Sequence, residues 1–472
     1  MKRHTTKARA FFVLTIGMIA VGAFTSVARG DETARAGGKP NILFIFADDW
    51  GWGDLGCHGH PWLKTPNIDR LASQGTEFYQ FTVASGVCSP SRTAVMTGHF
   101  PARHGVHGHF ATIESHAKRG MPDWLDPKVV LLPRLLKQSG YATAHFGKWH
   151  LTNIMVPDAP LPSRYGYDTY GAYNCSGPQM PVHDDARLAI EFIRNSHAAR
   201  KPFFVNLWIH EPHTPHYPRP EYLRQFAHLD DEAKQIYAAV LAHADARIGE
   251  VLAELERLNL TDDTLVISSS DNGPENTGPP SRRNVDDAST GPGLGSFASV
   301  GVTGGHRGRK RSLLQGGIGV PFIAKWPGKI AAGKVDDTTP ITAVDLLPTF
   351  CEIAHVALPE GYKPDGVSQL AALLGTAGSK RAKPVFWQWS TASSRGDNWP
   401  TLAVRQGEWK LLLGKQKGQV ELFRFPEDRL EQTNLRDEHP EEVRRLSALI
   451  DAWKETLPQE PNKSCFSERR VE

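Results

Sequence analysis

The feature that most narrows the fold is a recurring unit: a short apolar run that stops abruptly in polar residues, then a helix. "KPNILFIFADDWGWGDLG" is the first instance. Ile42 to Ala47 is continuously apolar, long enough for a strand buried on both faces of a parallel sheet. It ends in Asp48-Asp49, with Gly51 and Gly53 behind. "TPNIDRLASQG" then reads as a helix capped by Thr or Asn and stopped at Gly75. "VVLLPRLLKQSGYATAHFGKWHL" gives a helix, a stop at Gly140, a short strand and Gly147-Lys148-Trp149-His150. "ARLAIEFIRNSHAARKPFFVNLWIHEPHTPHYP" gives a helix, a strand from Phe203 to Ile209 and a loop rich in His and Pro. "AAVLAHADARIGEVLAELERLNLTDDTLVISSSDNG" gives a long amphipathic helix, a turn at Thr261-Asp262-Asp263, a strand from Thr264 to Ser269, and Asp271-Asn272-Gly273. Strands alternating with helices predict an α/β fold: a large, mostly parallel mixed sheet with helices on both faces. Polar residues just past the carboxyl ends of such strands lie where open α/β sheets build their sites.

Residues 273–312 are rich in Gly, Pro, Ser and Arg without periodicity and read as a long loop, a length that in compact domains usually serves function. "GGIGVPFIAKWPGKI" returns to strand. From about residue 384 the texture changes. "PVFWQWS", "TLAVRQGEWKLLLGK" and "QVELFRF" are short strands with turns between them, and "EEVRRLSALIDAWKETL" closes the chain as an amphipathic helix. A chain of 472 residues exceeds what one core usually holds. The reading is a larger, site-bearing domain over 39–383 and a closely packed C-terminal subdomain of small antiparallel sheet plus helix over 384–472. No internal repeat is visible.

Residues 1–28 carry Lys2, Arg3, Lys7 and Arg9 ahead of an apolar run from Ala10 to Phe24, then small Ser26 and Ala28. That order is a secretory signal peptide, so the protein is expected to be exported, to a periplasm or the medium. Cleavage there takes four of the 54 basic residues and no acidic one, leaving 50 against 51. A neutral mature chain argues against a nucleic-acid partner. Five cysteines, at 57, 88, 175, 351 and 465, are too sparse and uneven for a disulfide scaffold. Their odd number leaves one unpaired or chemically altered.

Cys88 is the candidate. In "SGVCSPSRTAVMTG" Pro90 suits a first helical turn, so a helix begins near Ser89 and runs to Gly98. Cys88 and Arg92, four apart, then share a face at the positive end of the helix dipole, a setting for anions. Asp48, Asp49, Asp271 and Asn272 supply hard oxygen donors at two strand ends. Either pair alone would also suit a turn or a cap. Together, after two buried strands, they read as ligands for Ca²⁺ or Mg²⁺ rather than zinc or copper.

"CSPSR", running into "TAVMTG", resembles the C-x-P-S-R signature of the type I sulfatases, within the alkaline-phosphatase superfamily. "GYATAHFGKWHL" is similar to the family's second signature, and "ADDWGWGDLGCHG", "TPNIDRLASQGTEF", "SDNG", "GGIGVPFIAKWPG" and "AVDLLPTFCEIA" follow its other blocks in order. The resemblance covers nearly the whole mature chain and implies a sulfuric ester hydrolase of arylsulfatase type. It implies that a separate formylglycine-generating enzyme oxidises Cys88 to Cα-formylglycine, whose hydrate carries two hydroxyls. One attacks the sulfur of a sulfate ester; the other then expels sulfate, which a serine could not do. It implies a divalent cation, calcium ahead of magnesium, held by Asp48, Asp49, Asp271, Asn272 and residue 88 itself. Arg92 and Lys148 would hold the diol and the sulfate oxygens, His150 would be the base for sulfate elimination, and His213, rather than His210 or His216, the acid for the leaving oxygen. Counting back from Gly316-Gly317, Lys310 aligns with a sulfate-contacting lysine, with Arg309 or Arg311 in its place if the loop shifts by one. The family usually has Glu where Gln315 stands and Arg where Gly319 stands.

By analogy with exported relatives the substrate would be a sulfated carbohydrate, or a sulfated small molecule. The His-rich loop, "GHFATIESHAKRGMPDWL" and residues 155–185 are expected to shape that choice. Two other readings stand beside this one: a phosphodiesterase or phosphonate monoester hydrolase of the same superfamily, and a non-catalytic sulfated-glycan binding protein with Cys88 unmodified. Four metal-type donors suffice for one ion rather than two.

Overall fold

The architecture is that of a computed structural model, which describes residues 38–275, 284–287, 291–376, 381–389, 399–416 and 418–471. The signal-peptide reading lies outside them. The alternating units assemble into one eight-stranded sheet. Its order is Lys334–Asp336, Thr76–Phe78, Phe322–Lys325, Thr264–Ser270, Asn41–Ala47, Phe203–Trp208, Ala142–Lys148, Thr169–Tyr173. Only Phe322–Lys325 runs antiparallel to its two neighbours; the other adjacent pairs are parallel. The expected mostly parallel mixed sheet is what forms.

The central strand shows why its sequence is unbroken apolar. Alternate side chains enter opposite layers, as the pleat requires. Ile42, Phe44 and Phe46 join one core, while Leu43, Ile45 and Ala47 join the other. The second layer is closed by the helices Pro66–Ser73, Asp185–Ala198 and Glu232–Arg257. The first is closed by Cys88–Thr97, Leu132–Gln138 and Leu346–Ile353, and it continues into a four-stranded antiparallel sheet: Val385–Gln388, Leu402–Gln406, Trp409–Leu413, Val420–Arg424. Trp453 of the last long helix, Pro440–Glu455, stacks on Phe386 at 4.8 Å between ring centroids. No helix among the described residues is long and apolar enough to cross a membrane.

Parallel pairing brings like ends together. Ala47 lies beside Ser270 and Gly147 beside Trp208, so the residues following four strands emerge at one edge. The segment 273–312, expected as loop throughout, differs. Asn284–Asp287 pairs with Gly291–Leu294 as an antiparallel hairpin, and Leu294 bridges to His216. A strand of sequence GPGL carries no hydrophobic period, because backbone pairing alone makes it.

Gly147 marks a tight point. Its φ of +113° belongs to the region glycine favours, and a Cβ there would sit 1.9 Å from the Trp208 carbonyl oxygen. Gly147→Ala is expected to cost on the order of 1–3 kcal/mol in urea unfolding. Because Lys148 is the next residue, activity should fall with it.

Candidate active site

Asp48 and Asp49 leave the central strand fully buried, and Asp271 and Asn272 do the same one strand away. Asp49 turns the chain with φ +69°, an uncommon value for a residue with a Cβ. Two contacts hold it: its backbone N–H donates to Asp271 Oδ1 at 3.2 Å, and Asn272 Nδ2 donates to its Oδ1 at 2.7 Å. Strain of this kind persists where surroundings over-determine it.

The helix Cys88–Thr97 starts one residue earlier than expected, so Cys88 is its first residue, buried and without a disulfide partner. One turn on, Arg92 donates from Nε and Nη2 to Asp271 Oδ2 at 3.0 and 2.7 Å, and its Nη2 lies 3.7 Å from Asp48 Oδ1. Its third nitrogen donates to the Lys148 carbonyl at 3.1 Å, tying the helix to the strand Ala142–Lys148. Lys148 Nζ donates in turn to Asp48 Oδ2. His150, with φ +51°, puts Nδ1 3.1 Å from Cys88 Sγ and Nε2 2.8 Å from the Phe110 carbonyl. A carbonyl only accepts, so the neutral ring carries its hydrogen on Nε2 and turns the Nδ1 lone pair toward residue 88. Burial, and then the Lys148 charge, hold His150 well below the usual histidine range, which keeps that lone pair free.

Of the three consecutive basic residues, Lys310 is the one that reaches the acidic cluster, donating to Asp49 Oδ2 at 2.6 Å. Arg309 is spent on the backbone carbonyls of Glu275 and Gly301, and Arg311 on the Glu275 carboxylate. His213 brings Nε2 within 3.9 Å of Asp49 Oδ2. Every residue the sequence singled out thus lies in one cluster, buried except for the partly exposed His213. One neighbour, Glu275, is not singled out by the sequence, and another, His210, is weighed there as the acid and set aside for His213. Glu275 stands 3.2 Å from Lys310, and His210 groups with Asp48 and His213, their ligand atoms within 4.8 Å of one another. A glutamate two residues past "DNG" has no periodic signal, whereas the H-x-x-H spacing of His210 and His213 was legible.

The donors fit a hard divalent cation. Ligand atoms of Asp48, Cys88 and Asp271 lie within 4.8 Å of one another. Asp48 Oδ1 and Asn272 Oδ1 are buried without a hydrogen-bond partner, a costly state that a cation between them would relieve. Burial and then the Asp48 charge raise Asp271 to about 7, against the pull of Arg92. Burial likewise opposes ionisation of Asp48, but the charges of His213, Lys148, Arg92 and Lys310 prevail and hold it well below the usual carboxylate range. Carboxylates this crowded call for more positive charge. For Cys88, burial wins: its thiol is pushed up to about 11, although Lys148 pulls the other way, so the sulfur is protonated at neutral pH.

The sulfatase family model matches residues 40–356 of this arrangement. The chain belongs to the sulfatase family. It is therefore a sulfuric ester hydrolase. A second model, for the C-terminal part of N-sulphoglucosamine sulphohydrolase, matches residues 306–456. N-acetylgalactosamine-6-sulfatase of Canis lupus familiaris is 32% identical over 427 residues, spanning 81% of this chain and 73% of that one. Arylsulfatase A of Homo sapiens is 29% identical over 427 residues, spanning 82% and 76%. The fold is shared with Ps i-CgsB in complex with k-i-k-neocarrahexaose, with TM-score 0.75, 24% identity, and 92% and 96% of the two chains covered. It is also shared with BT4656 in complex with D-glucosamine-2-N,6-O-disulfate, with TM-score 0.65, 19% identity, and 89% and 98% covered.

The departures at Gln315 and Gly319 have a local explanation in this sulfatase. A Cβ on residue 319 would meet Gln315 Nε2 at 2.5 Å, so the small residue makes room for the amide. The carboxylate comes from elsewhere: Glu431, fully buried, accepts from the Gln315 backbone N–H at 2.6 Å and from Lys410 Nζ at 2.5 Å. Lys410 also donates to the Leu313 carbonyl at 3.0 Å. This ion pair, between Lys410 of the C-terminal sheet and Glu431 of the turn beyond its last strand, therefore clamps the loop that carries Lys310. Glu431→Gln leaves Lys410 buried and uncompensated, and should cost about 3–5 kcal/mol in denaturant unfolding. The double change Glu431→Gln with Lys410→Met should recover part of that loss.

Proposed function

We propose that this sulfatase desulfates carbohydrate sulfate esters, using a Cα-formylglycine made from Cys88 and one divalent ion, Ca²⁺ in preference to Mg²⁺. The observation that carries the reading is the convergence on Cys88 of Asp48, Asp271, Arg92 and His150, around a thiol that burial keeps protonated. A protonated thiol is a poor nucleophile, whereas the same position bearing a hydrated aldehyde offers two hydroxyls, one to attack sulfur and one to expel sulfate. Asp48, Asp49, Asp271 and Asn272 would hold the ion, which supplies charge neutralisation at the sulfate and lowers the pKa of the attacking hydroxyl.

The remaining residues divide the work. Arg92, locked by Asp271 and the Lys148 carbonyl, orients residue 88 from one side. Lys148 and Lys310 are paired with Asp48 and Asp49. Once other positive charge satisfies those carboxylates, both ammoniums can turn to the sulfate oxygens. His150 Nδ1 is placed to take the proton from the second hydroxyl as sulfate leaves. His213, half-exposed near Asp49, would protonate the departing alcohol. Burial holds it well below the usual histidine range, against the pull of Asp48, so the proton it gives has to be acquired together with the anionic substrate. Maturation would need a formylglycine-generating enzyme, and the signal-like order of residues 1–28 supports export from the cytoplasm. Relatives that act on, or are bound to, sulfated sugars support the substrate class.

Peptide mass across Cys88 tests the reading. Conversion of the thiol to the aldehyde lowers the mass by ~18 Da, and activity on an aryl sulfate and on sulfated glycans should track the converted fraction. A Cys88 that stays a thiol after co-expression with a formylglycine-generating enzyme would overturn it. Cys88→Ser should retain a sulfo group without turnover, read as a stable mass gain of ~80 Da, because serine lacks the second hydroxyl. Lys310→Ala should lower kcat by about 10²–10³, as loss of one charge-stabilising donor does elsewhere. Chelation should abolish activity, with Ca²⁺ restoring it better than Mg²⁺.

A further inference from the structure

We propose that Cys57, His58 and Glu77 form a second metal site, for Zn²⁺, on the flank of the sheet. Cys57 and His58 lie in the short turn Gly56–His58, and Glu77 in the edge-side strand Thr76–Phe78. Glu77 Oε2 is 2.7 Å from His58 Nε2 and 3.9 Å from Cys57 Sγ, and all three ligand atoms lie within 4.8 Å of one another. A tetrahedral zinc with ordinary bond lengths holds its donors about 3.3–3.5 Å apart. The two separations straddle that value, so the closer pair has to open and the wider pair to close, each by about 0.4–0.8 Å, to admit the ion.

The surroundings prepare the imidazole. His58 Nδ1 is 2.5 Å from the Trp52 carbonyl, which only accepts, so Nδ1 carries a hydrogen. Nε2 then faces a carboxylate, an arrangement that needs a proton or a metal between them. A backbone carbonyl on the far nitrogen is the usual support of a metal-bound histidine. The ring is further fixed by Trp52, stacked at 4.0 Å and 16°, and by the edge of Tyr79. The turn itself is anchored, since Asp69 Oδ1 accepts from the Cys57 backbone N–H at 2.8 Å and from Thr65 Oγ1 at 2.8 Å.

With a proton between His58 and Glu77 the thiol makes only a long hydrogen bond to Glu77 Oε2 at 3.9 Å, whereas a metal engages all three donors directly. Burial, with the Glu77 and Asp69 charges, holds the Cys57 thiol well above its ordinary range. Binding therefore replaces the thiol hydrogen: Cys57–SH and Zn²⁺ give Cys57–S–Zn⁺ and a proton released to solvent. Sulfur, imidazole and carboxylate select zinc, while the oxygen set at Asp48, Asp49, Asp271 and Asn272 selects a hard ion. Cys57 is exposed, which leaves a way in for the ion. Arg429, over Trp52 and Tyr79, is the nearby cation that zinc has to tolerate.

The test is maleimide labelling of Cys57, followed by peptide mass in the calcium-loaded protein. Micromolar Zn²⁺ is expected to slow labelling at least tenfold, Ca²⁺ not at all, and His58→Gln or Glu77→Gln to remove the protection. With Co²⁺ as probe, a thiolate-to-cobalt charge-transfer band should form in the wild type and be absent from Cys57→Ser. An unchanged labelling rate with Zn²⁺, or protection equal in wild type and both variants, overturns the proposal. Neither readout depends on desulfation.

Discussion

The rest of the molecule depends on the parallel pairing of Asn41–Ala47 with Thr264–Ser270, seven residues in register to the last pair. Two chain segments more than 220 residues apart stop being strand at the same level. Asp48-Asp49 and Asp271-Asn272 therefore meet as a consequence of sheet hydrogen bonding. The contacts across the junction are short and specific: the Asp49 N–H to Asp271, Asn272 to Asp49, and the Trp50 N–H to Ser270 Oγ at 2.8 Å. A slip of one residue in this register would exchange the side chains of the two layers, putting Phe44 and Phe46 where Leu43, Ile45 and Ala47 pack, so the fit of the apolar layers above and below enforces the geometry of the polar edge.

What the sheet assembles is expensive. Carboxylates and cations taken from water together pay a desolvation cost that their mutual attraction only partly returns. The arrangement is tolerable because signs alternate: Lys148 against Asp48, Arg92 between Asp48 and Asp271, Lys310 against Asp49. It is still left with unpartnered buried oxygens on Asp48 and Asn272. Such a cluster is poised for the exchange of one cation for another. Its stability and its reactivity come from the same imbalance.

The legible part of this design was the part written in local patterns. Apolar runs with abrupt polar ends located the strands to within a residue, as with Phe203–Trp208 against an expected end at Ile209. The helix at Cys88 was visible through Pro90 and Gly98, the latter ending it at φ +64°. Lys310 was legible by counting back from Gly316-Gly317, but the count leaves its choice over Arg309 and Arg311 open, because a shift of one residue in the loop would exchange them. That choice rests on tertiary contacts: the Arg311 N–H donates to the Gly86 carbonyl at 2.7 Å, and a Cβ on Gly86 would lie 2.3 Å from the Ser312 carbonyl. Glu431 was illegible for the same reason. It acts 116 residues downstream of Gln315, from a turn whose sequence resembles any acidic surface stretch, yet it is fully buried. The GPGL strand failed on opposite grounds, since its pairing needs no side-chain pattern.

The two cysteines near the ends of this logic show how one physical effect serves opposite ends. Burial raises both thiols, and each therefore sits protonated at neutral pH. At Cys57 an imidazole and a single carboxylate stand beside the sulfur and the position is open, so a metal that accepts all three donors can displace the hydrogen. At Cys88 the position is closed, flanked by hard oxygens and cations, and the sulfur suits neither as ligand nor as nucleophile. The same low-dielectric pocket that would make Arg92, Lys148 and Lys310 strong toward a sulfate group makes a thiol inert within it. The oxygen nucleophile proposed at residue 88 would resolve that conflict, because oxygen is the donor that a hard cation held by the carboxylate cluster would take. On this argument the chemistry of residue 88 follows from the charge and burial that the sheet edge imposes on it.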